Sequence, residues 1–387
     1  MRILHIANFY GDKSGGIRTT IHNLGHSYIQ RGHEFTFIVP GSGFYCEETP
    51  TGRMIHLPSI LIPFSGGYRI IRRNRDVKNL ITTLKPDAIE ISDRFTLSGI
   101  GTWARKRGIP TVVFSHETLS GLVKTHLKFS LTRVVNWHNS RLASRFKYVI
   151  ATTQFAASEF KNIDTPNLVT VPLGVDLANF HPNNRDESLR AALLKGADIL
   201  LVHCGRLSPE KKPERSMQAL ELLLKQGINA RLVYVGIGPL QKKMMQASKN
   251  LPVTFLGYVA GRQKLAAILS SADISLAPGP IETFCLAAME SLASGTPVVA
   301  SNTSAVGEFL LLDSEQPVGA IFDNTALGYA EAIKEVLRMR SRNQNLAHHC
   351  HQQALNTGCE RRNVIANSLC STGRQRSSWN WRLRQVW

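Results

Sequence analysis

Glu282 and Glu290 stand eight residues apart around the start of what reads as a strand, a turn and a helix. The apolar run from Ile274 to Ala277 is strand-like, and Pro278, Gly279 and Pro280 end it, since none suits a central strand or a helix interior. Thr283 is placed to cap a helix running to about Ser294, where Gly295 supplies the stop and Pro297 opens the next strand. Were both glutamates fully helical, roughly 12 Å of rise would separate them. That is wider than the carboxyl pair that cleaves one glycosidic bond, and it suits the two ends of a single long ligand. Between them the amides of Phe284, Cys285 and Leu286 are first-turn donors at the positive end of the helix dipole, so the segment predicts a phosphate site.

Cations occur where such a ligand would need them. Ile199 to His203 reads as a strand, followed by Gly205, Arg206 and Lys211 and then an amphipathic helix from Pro213 to Lys225. Arg206 and Lys211 therefore sit at a strand's carboxyl end, where fixed cations stabilise the charge that a departing diphosphate develops. The strand from Leu232 to Val235, with Gly236 and Gly238 after it, fits a nucleotide's base and ribose lying nearby. In the first half, the strand from Thr111 to Ser115 ends at His116, and ligands of parallel sheets lie beyond such ends. Gly11, Gly15 and Gly16 follow the first strand, residues 2–7, and precede an amphipathic helix from about Ile17 to Gln30. Glycines there let the backbone approach a charged group, although they do not form the GxGxxG fingerprint.

Parallel strands must position all of these groups. Strand candidates at 2–7, 35–39, 88–92, 111–115, 148–152 and 168–171, then at 199–203, 232–235, 253–256 and 274–277, alternate with helical stretches. That alternation predicts α/β units with parallel sheets. The region 46–63 reads as loop with one short strand near Met54 to Leu57. A chain of 387 residues exceeds what one core supports, which predicts two domains. VPLGVD at 171–176 breaks the last strand of the first half, so the expected domains are 1–176 and 177–358, followed by a basic tail at 359–387. That tail holds three of the five tryptophans and shows no 3.6-residue period. A disordered segment, a membrane-interface segment and a reading-frame scar all remain open for it.

The net charge of +18 calls for an acidic partner: nucleotide phosphate, anionic lipid or nucleic acid. No nucleic-acid-reading motif is present, which sets nucleic acid aside. From 68 to 85, Ile70, Val77, Leu80, Ile81 and Leu84 fall on one helical face, and five cations from Arg69 to Lys78 face a single acid, Asp76. Such a helix either lies on an anionic membrane or covers a sheet while its arginines are solvated. No apolar run reaches the roughly 18 residues of a membrane span. Residues 1–7 read as a strand and not a signal peptide. The six cysteines lack CxxC spacing, which predicts reduced cytosolic thiols. His348, His349, Cys350 and His351 point in different directions on a helix and read as polar surface, not as metal ligands. No D-x-D occurs, so no metal is expected at the donor site.

The P-x-E-T-F-x-L-A-x-x-E context of 280–290, together with GRLSPEK and VPLGVD, resembles the retaining glycosyltransferases of the GT-B fold, family 4, over about residues 2–340. The resemblance implies two Rossmann-like domains facing across a cleft, acceptor side first and donor side second. It implies that Glu282 and His116 contact the transferred sugar, and that Arg206, Lys211, the Gly15–Gly16 loop and the amides of Phe284, Cys285 and Leu286 contact the diphosphate. It further implies that Glu290 contacts the ribose, while backbone groups around Val259 cradle the base and Arg262 faces it. Cys285 departs from the family pattern, which usually has glycine there. SGGIRT, IPFSGGYR, EISDRFTL and VVFSHETL look most like the GDP-mannose-dependent phosphatidylinositol mannoside mannosyltransferases, above all those adding an α-1,6 mannose to the dimannoside. In that subgroup a basic helix docks the enzyme on the bilayer. The implied activity moves a hexose from GDP-mannose to a lipid-linked acceptor at the inner face of the cell membrane, with no cofactor beyond the nucleotide sugar. A family 4 transferase using a UDP-sugar and another glycan acceptor, and a non-catalytic nucleotide- or lipid-binding descendant, remain as alternatives.

Overall fold

The computed structural model describes residues 1–11, 15–63, 67–126, 131–313 and 315–357. The tail from 359, and residues 64–66 within IPFSGGYR, lie outside the described residues. Two compact units divide the chain, Met1–Gly174 and Val175–Glu360.

The first unit is built on nine strands: β1 (Arg2–Ala7), β2 (Glu34–Gly41), β3 (Tyr45–Thr49), β4 (Gly52–Leu61), β5 (Arg69–Ile71), β6 (Ala88–Ser92), β7 (Thr111–Ser115), β8 (Tyr148–Ala151) and β9 (Leu168–Thr170). They lie in the order β3-β4-β2-β1-β6-β7-β8-β9, with β5 also on β4. All pairs are parallel except those of β3 and β5 with β4. AIEIS in β6 and TVVFS in β7 are buried at every position, as expected of strands covered on both faces. Period-two alternation divides the core. Leu4, Ile6, Ile89, Ile91 and Val113 belong to one apolar layer; Ile3, Ala7, Phe35, Phe37, Val112 and Phe114 belong to the other, with Ile21, Leu24 and Tyr28 of the Gly16–Gln30 helix packed on it.

Two expectations fail here. Residues 45–61 are strand and not mostly loop: β3 and β4 form an antiparallel hairpin over 45–56, and β4 continues beyond it to Leu61. The stretch 68–85 is not one helix: Arg69–Ile71 pairs with β4, and helix begins only at Asn74 and runs to Leu84. Val77 and Ile81 of that helix are fully buried in the first apolar layer, with Leu80 and Leu84 packed against it, so its apolar face covers the sheet. Arg72, Arg73 and Arg75 are exposed, as are Asn79, Thr82 and Thr83.

The second unit has one parallel sheet of β10 (Ile199–Cys204), β11 (Ala230–Val235), β12 (Val253–Gly257), β13 (Ile274–Ala277), β14 (Val298–Ser301) and β15 (Gly319–Phe322), in the order β12-β11-β10-β13-β14-β15. Strand order reverses between β10 and β13, as it does between β1 and β6 in the first unit; that is where open parallel sheets place their ligands. The HHCH run is not wholly polar surface. On the helix at 346–357 the helical period turns Cys350 and His351 inward, and His351 Nδ1 lies 2.6 Å from the Ala293 carbonyl.

Ile81→Ala is expected to lower stability by about 2–4 kcal/mol in urea unfolding with no lipid present, because it empties a site in a packed layer. A loss below about 0.5 kcal/mol, typical of a surface change, would mean that this face is not part of the core.

Candidate active site

In the second unit the loops leaving β10 and β13 meet, because those strands pair directly at Leu201–Ile274 and Val202–Ser275. Lys211 Nζ donates to Glu282 Oε1 across 2.5 Å. The Lys211 side chain keeps 36% of its surface open, while that of Glu282 keeps 10%. Burial pulls the ammonium down, but the Glu282 carboxylate outweighs it and holds Lys211 above its ordinary value, so the proton stays. His203 lies behind them on β10, its Nδ1 3.0 Å from Ser216 Oγ; burial and then Lys211 push it down to about 3 and keep it neutral. Gly279 leaves room for the carboxylate: a Cβ there would stand 2.7 Å from Glu282 Oε1 and push that side chain aside. The rest of the loop is tied down where Ala305 N–H donates to the Glu282 carbonyl, 2.8 Å, and Thr303 Oγ1 to that of Pro280, 3.0 Å.

Arg206 is carried by the neighbouring turn. Gly205 and Leu207 extend the β10–β11 pairing by donating to the Val235 and Ile237 carbonyls at 2.9 and 3.1 Å. Gly236 and Gly238 serve that approach: a Cβ on either would fall within 2.2 Å of the Gly205 or Leu207 carbonyl oxygen. Both glycines thus let the Arg206 turn sit against its neighbour.

The helix that carries Glu290 starts later than its cap residue suggested. It spans Leu286–Ala293, with Cys285 before it at φ 63° and ψ 79° and with no side-chain cap. Thr283 and Phe284 are buried, and the Phe284 ring packs 5.8 Å from Phe309. The first-turn amides are therefore those of Leu286 and Ala287, while Ala288 N–H turns back to the Cys285 carbonyl at 3.0 Å. No acid lies in that first turn. Cys285 occupies the left-handed region that glycine adopts freely, which gives its departure from glycine a backbone cost. Its thiol is pushed up to about 12 by burial and then by Glu282, so it stays protonated.

Glu290 is in the second turn. Burial pushes its carboxyl up to about 7, with the Arg262 guanidinium opposing the rise and Asp176 adding to it. Arg262, expected to face a base, pairs with Asp176 at 2.5 Å. Asp176 closes VPLGVD, which read only as a domain link, so its part at this end of the site was missed. Val259 lies in the turn between β12 and the Arg262–Ser271 helix, partly exposed beside an exposed Tyr258.

In the first unit, Gly15 and Gly16 are exposed at the start of the Gly16–Gln30 helix, which has no acid in its first turn. His116 follows β7, stacked 5.6 Å from Phe114, and burial and then His5 push it down to about 3. Its Nε2 lies 2.8 Å from Ser92 Oγ. The turn carrying it is clamped from below: buried Arg94 donates to the Glu117 carbonyl at 2.6 Å and pairs with Glu159 at 3.5 Å, and Glu159 accepts from the amides of Leu119 and Ser120. His5, Glu90 and Ser92 were not singled out in the sequence; their only local signal is a polar residue inside an otherwise apolar strand. Among the described residues no cluster of His, Cys, Asp and Glu could hold a metal ion.

Residues 184–356 match the family profile described as "Glycosyl transferases group 1", and residues 14–179 that of "Glycosyltransferase Family 4". The chain is 44% identical over 346 residues, 89% of it and 90% of the relative, to the GDP-mannose-dependent alpha-(1-6)-phosphatidylinositol dimannoside mannosyltransferase of Mycobacterium tuberculosis. Among solved structures it resembles sucrose-phosphate synthase from Thermosynechococcus elongatus, with TM-score 0.73, 17% identity and coverage of 96% of this chain and 100% of that one. It also resembles Anabaena HepE in complex with UDP and glucose, with TM-score 0.70, 18% identity and coverage of 95% and 99%.

Two outcomes follow from this geometry. Cys285→Gly is expected to raise stability by roughly 1 kcal/mol in urea unfolding by removing a left-handed Cβ; a destabilised variant would contradict the strain. Because the folded Glu290 carboxyl is raised above its ordinary 4.5, its contribution is complete below that value and is lost as the pH rises through about 7. Glu290→Gln should therefore flatten the fall in melting temperature between pH 5 and 8 and leave the variant about 1–3 kcal/mol more stable than the parent at pH 8. An unchanged pH profile would refute the shift.

Proposed function

The chain belongs to the group 1 glycosyltransferases, with a family 4 first half and the GT-B fold, and we propose that it moves mannose from GDP-mannose to a phosphatidylinositol dimannoside, forming an α-1,6 bond with retention. The observation that carries donor and acceptor is the near full-length likeness to the mycobacterial dimannoside mannosyltransferase.

In this reading the bond from the sugar's C1 to the diphosphate oxygen breaks while the acceptor oxygen bonds C1 on the same face. The acceptor's hydroxyl proton passes to the departing phosphate. Arg206, Lys211, the Gly15–Gly16 turn and the first-turn amides from Leu286 take up the charge developing on the diphosphate. Glu282 and His116 hold sugar hydroxyls, Glu290 the ribose, and the turn at Val259 with Arg262 the base. The Lys211–Glu282 pair supports this assignment, since one contact orients the group meant for phosphate and the group meant for sugar together. No helix among the described residues is long and apolar enough to cross a membrane. The outward cations at 72–75 support a peripheral seat on the anionic inner face of the cell membrane by charge alone, as the apolar side of that helix is engaged elsewhere.

Radiolabelled GDP-mannose, UDP-glucose and UDP-GlcNAc, each offered with phosphatidylinositol dimannoside, test the assignment: label should enter the lipid from GDP-mannose. Transfer from a UDP-sugar alone, or from none of the three, would overturn it. Arg206→Ala should lower kcat by about 100-fold or more while the acceptor KM stays within about threefold. An unchanged kcat would remove Arg206 from the mechanism.

A further inference from the structure

The positive charge of this chain is concentrated on one side of the first unit. Residues 94–147 hold ten lysines and arginines and a single acid, Glu117, and so supply nine of the net +18 charges. Arg105, Lys106, Arg107, Arg133, Arg141 and Lys147 of that stretch are exposed. Its helices Ser98–Arg105 and Thr132–Ala143 cover the same apolar layer as Asn74–Leu84, because Ile100, Ala104, Leu142 and Ala143 pack there with Val77 and Ile81. Arg105 Nη1 donates to the Ser144 carbonyl at 2.6 Å and joins the ends of the first two. The Asn74 amide donates to the Thr96 carbonyl at 2.8 Å, so the exposed Arg72, Arg73 and Arg75 adjoin the turn before Ser98.

The Thr132–Ala143 helix differs from its neighbours in what it shows to solvent. About 100° of turn per residue puts Arg133, Val134, Trp137, Ser140 and Arg141 on one side and Val135, Asn139, Leu142 and Ala143 on the other. The second set is buried and the first exposed. At the centre of the exposed side Trp137 is 62% open, and Val134 beside it 55%. Held in water, both forgo the favourable transfer that burial would give them. Arg141 lies over the Trp137 ring, its Cζ 5.6 Å from the centroid, and Arg107 over that of Trp103 at 4.0 Å. Phe95, exposed in the turn after β6 at the sheet's ligand edge, lies 5.5 Å from His138 of the same helix.

We infer that the outer side of the Thr132–Ala143 helix is a docking surface for an anionic bilayer, with Trp137 and Val134 entering the headgroup layer and Arg133 and Arg141 meeting lipid phosphates. Tryptophan with a cation on either side and no acid on the helix complements that boundary in both polarity and charge. Nucleic acid shares the phosphate charge but has no apolar layer to receive Val134. The inference rests on the peripheral seat proposed above, and it supplies the apolar anchor that the Asn74–Leu84 helix, with Val77 and Ile81 on the sheet, does not. Docked in this way, the β6 end with Phe95 lies at the lipid boundary, where a lipid-linked acceptor presents its headgroup.

Co-sedimentation of the full-length protein with vesicles tests this without any nucleotide sugar, so its outcome is independent of the transfer chemistry. Phosphatidylglycerol supplies anionic charge without the inositol of the proposed acceptor. The parent is expected to bind phosphatidylcholine vesicles that contain it and to leave pure phosphatidylcholine in solution. Trp137→Ala should weaken binding about tenfold, and Arg133→Ala together with Arg141→Ala about 30-fold, with melting temperatures unchanged because all three side chains lie outside the core. Quenching of tryptophan fluorescence by brominated lipid should shrink in Trp137→Phe. A Trp137→Ala variant that binds within about twofold of the parent overturns the inference. If alanines at Arg72, Arg73 and Arg75 then release the protein, the peripheral seat survives without this anchor. A parent that ignores the anionic vesicles removes anchor and seat together and leaves sugar transfer standing. Tighter binding to single-stranded RNA, lost with the same substitutions, would assign the surface to nucleic acid and overturn it as well.

Discussion

A lysine ammonium and a glutamate carboxylate 2.5 Å apart join the two loops from which the second unit's chemistry is assembled. Lys211 and Glu282 leave different strands, and they meet because β10 and β13 are neighbours at the point where the strand order turns back. Removing either partner would leave the other charge in a poorly solvated place, so the pair holds both loops in one arrangement. Gly279 yields the space for the carboxylate, while Gly236 and Gly238 let the Arg206 turn press against its neighbour. Lys211 is thus held in place by a contact within the protein itself, which is the kind of preorganisation that lets fixed charge favour a transition state in the proposed transfer.

The first unit uses the same device behind its own strand ends. Polar groups inside an aromatic layer cost free energy unless every one is bonded. His5, Glu90, Ser92 and Tyr28 satisfy one another, and Arg94 with Glu159 secures the turn that follows β7. In both units the polar groups at the strand ends are braced by buried polar partners.

The helix that carries Glu290 gives the family's glycine preference a physical basis. Its entry residue sits at φ 63°, where a side chain crowds its own backbone, and this chain keeps a cysteine there. In the second turn of the same helix, burial raises the Glu290 carboxyl to about 7, with Arg262 and Asp176 pulling in opposite directions.

Much of the scaffold could be read along the chain. β6 and β7 begin and end where expected because strands covered on both faces appear as unbroken apolar runs, and Gly295 ends its helix with φ 79° as its place required. The hairpin at 45–56 escaped because YCEET is an exposed edge strand with no apolar face. Thr283 failed as a cap because tertiary ties on Glu282 and Phe284 hold that turn back from the helix. Local pattern, then, was enough for the buried parallel strands, the Gly295 helix stop and the family. Which polar groups touch was beyond it: Lys211 meets Glu282 across 71 residues and His5 meets Glu90 across 85, and only strand order and register bring such distant positions within a hydrogen bond.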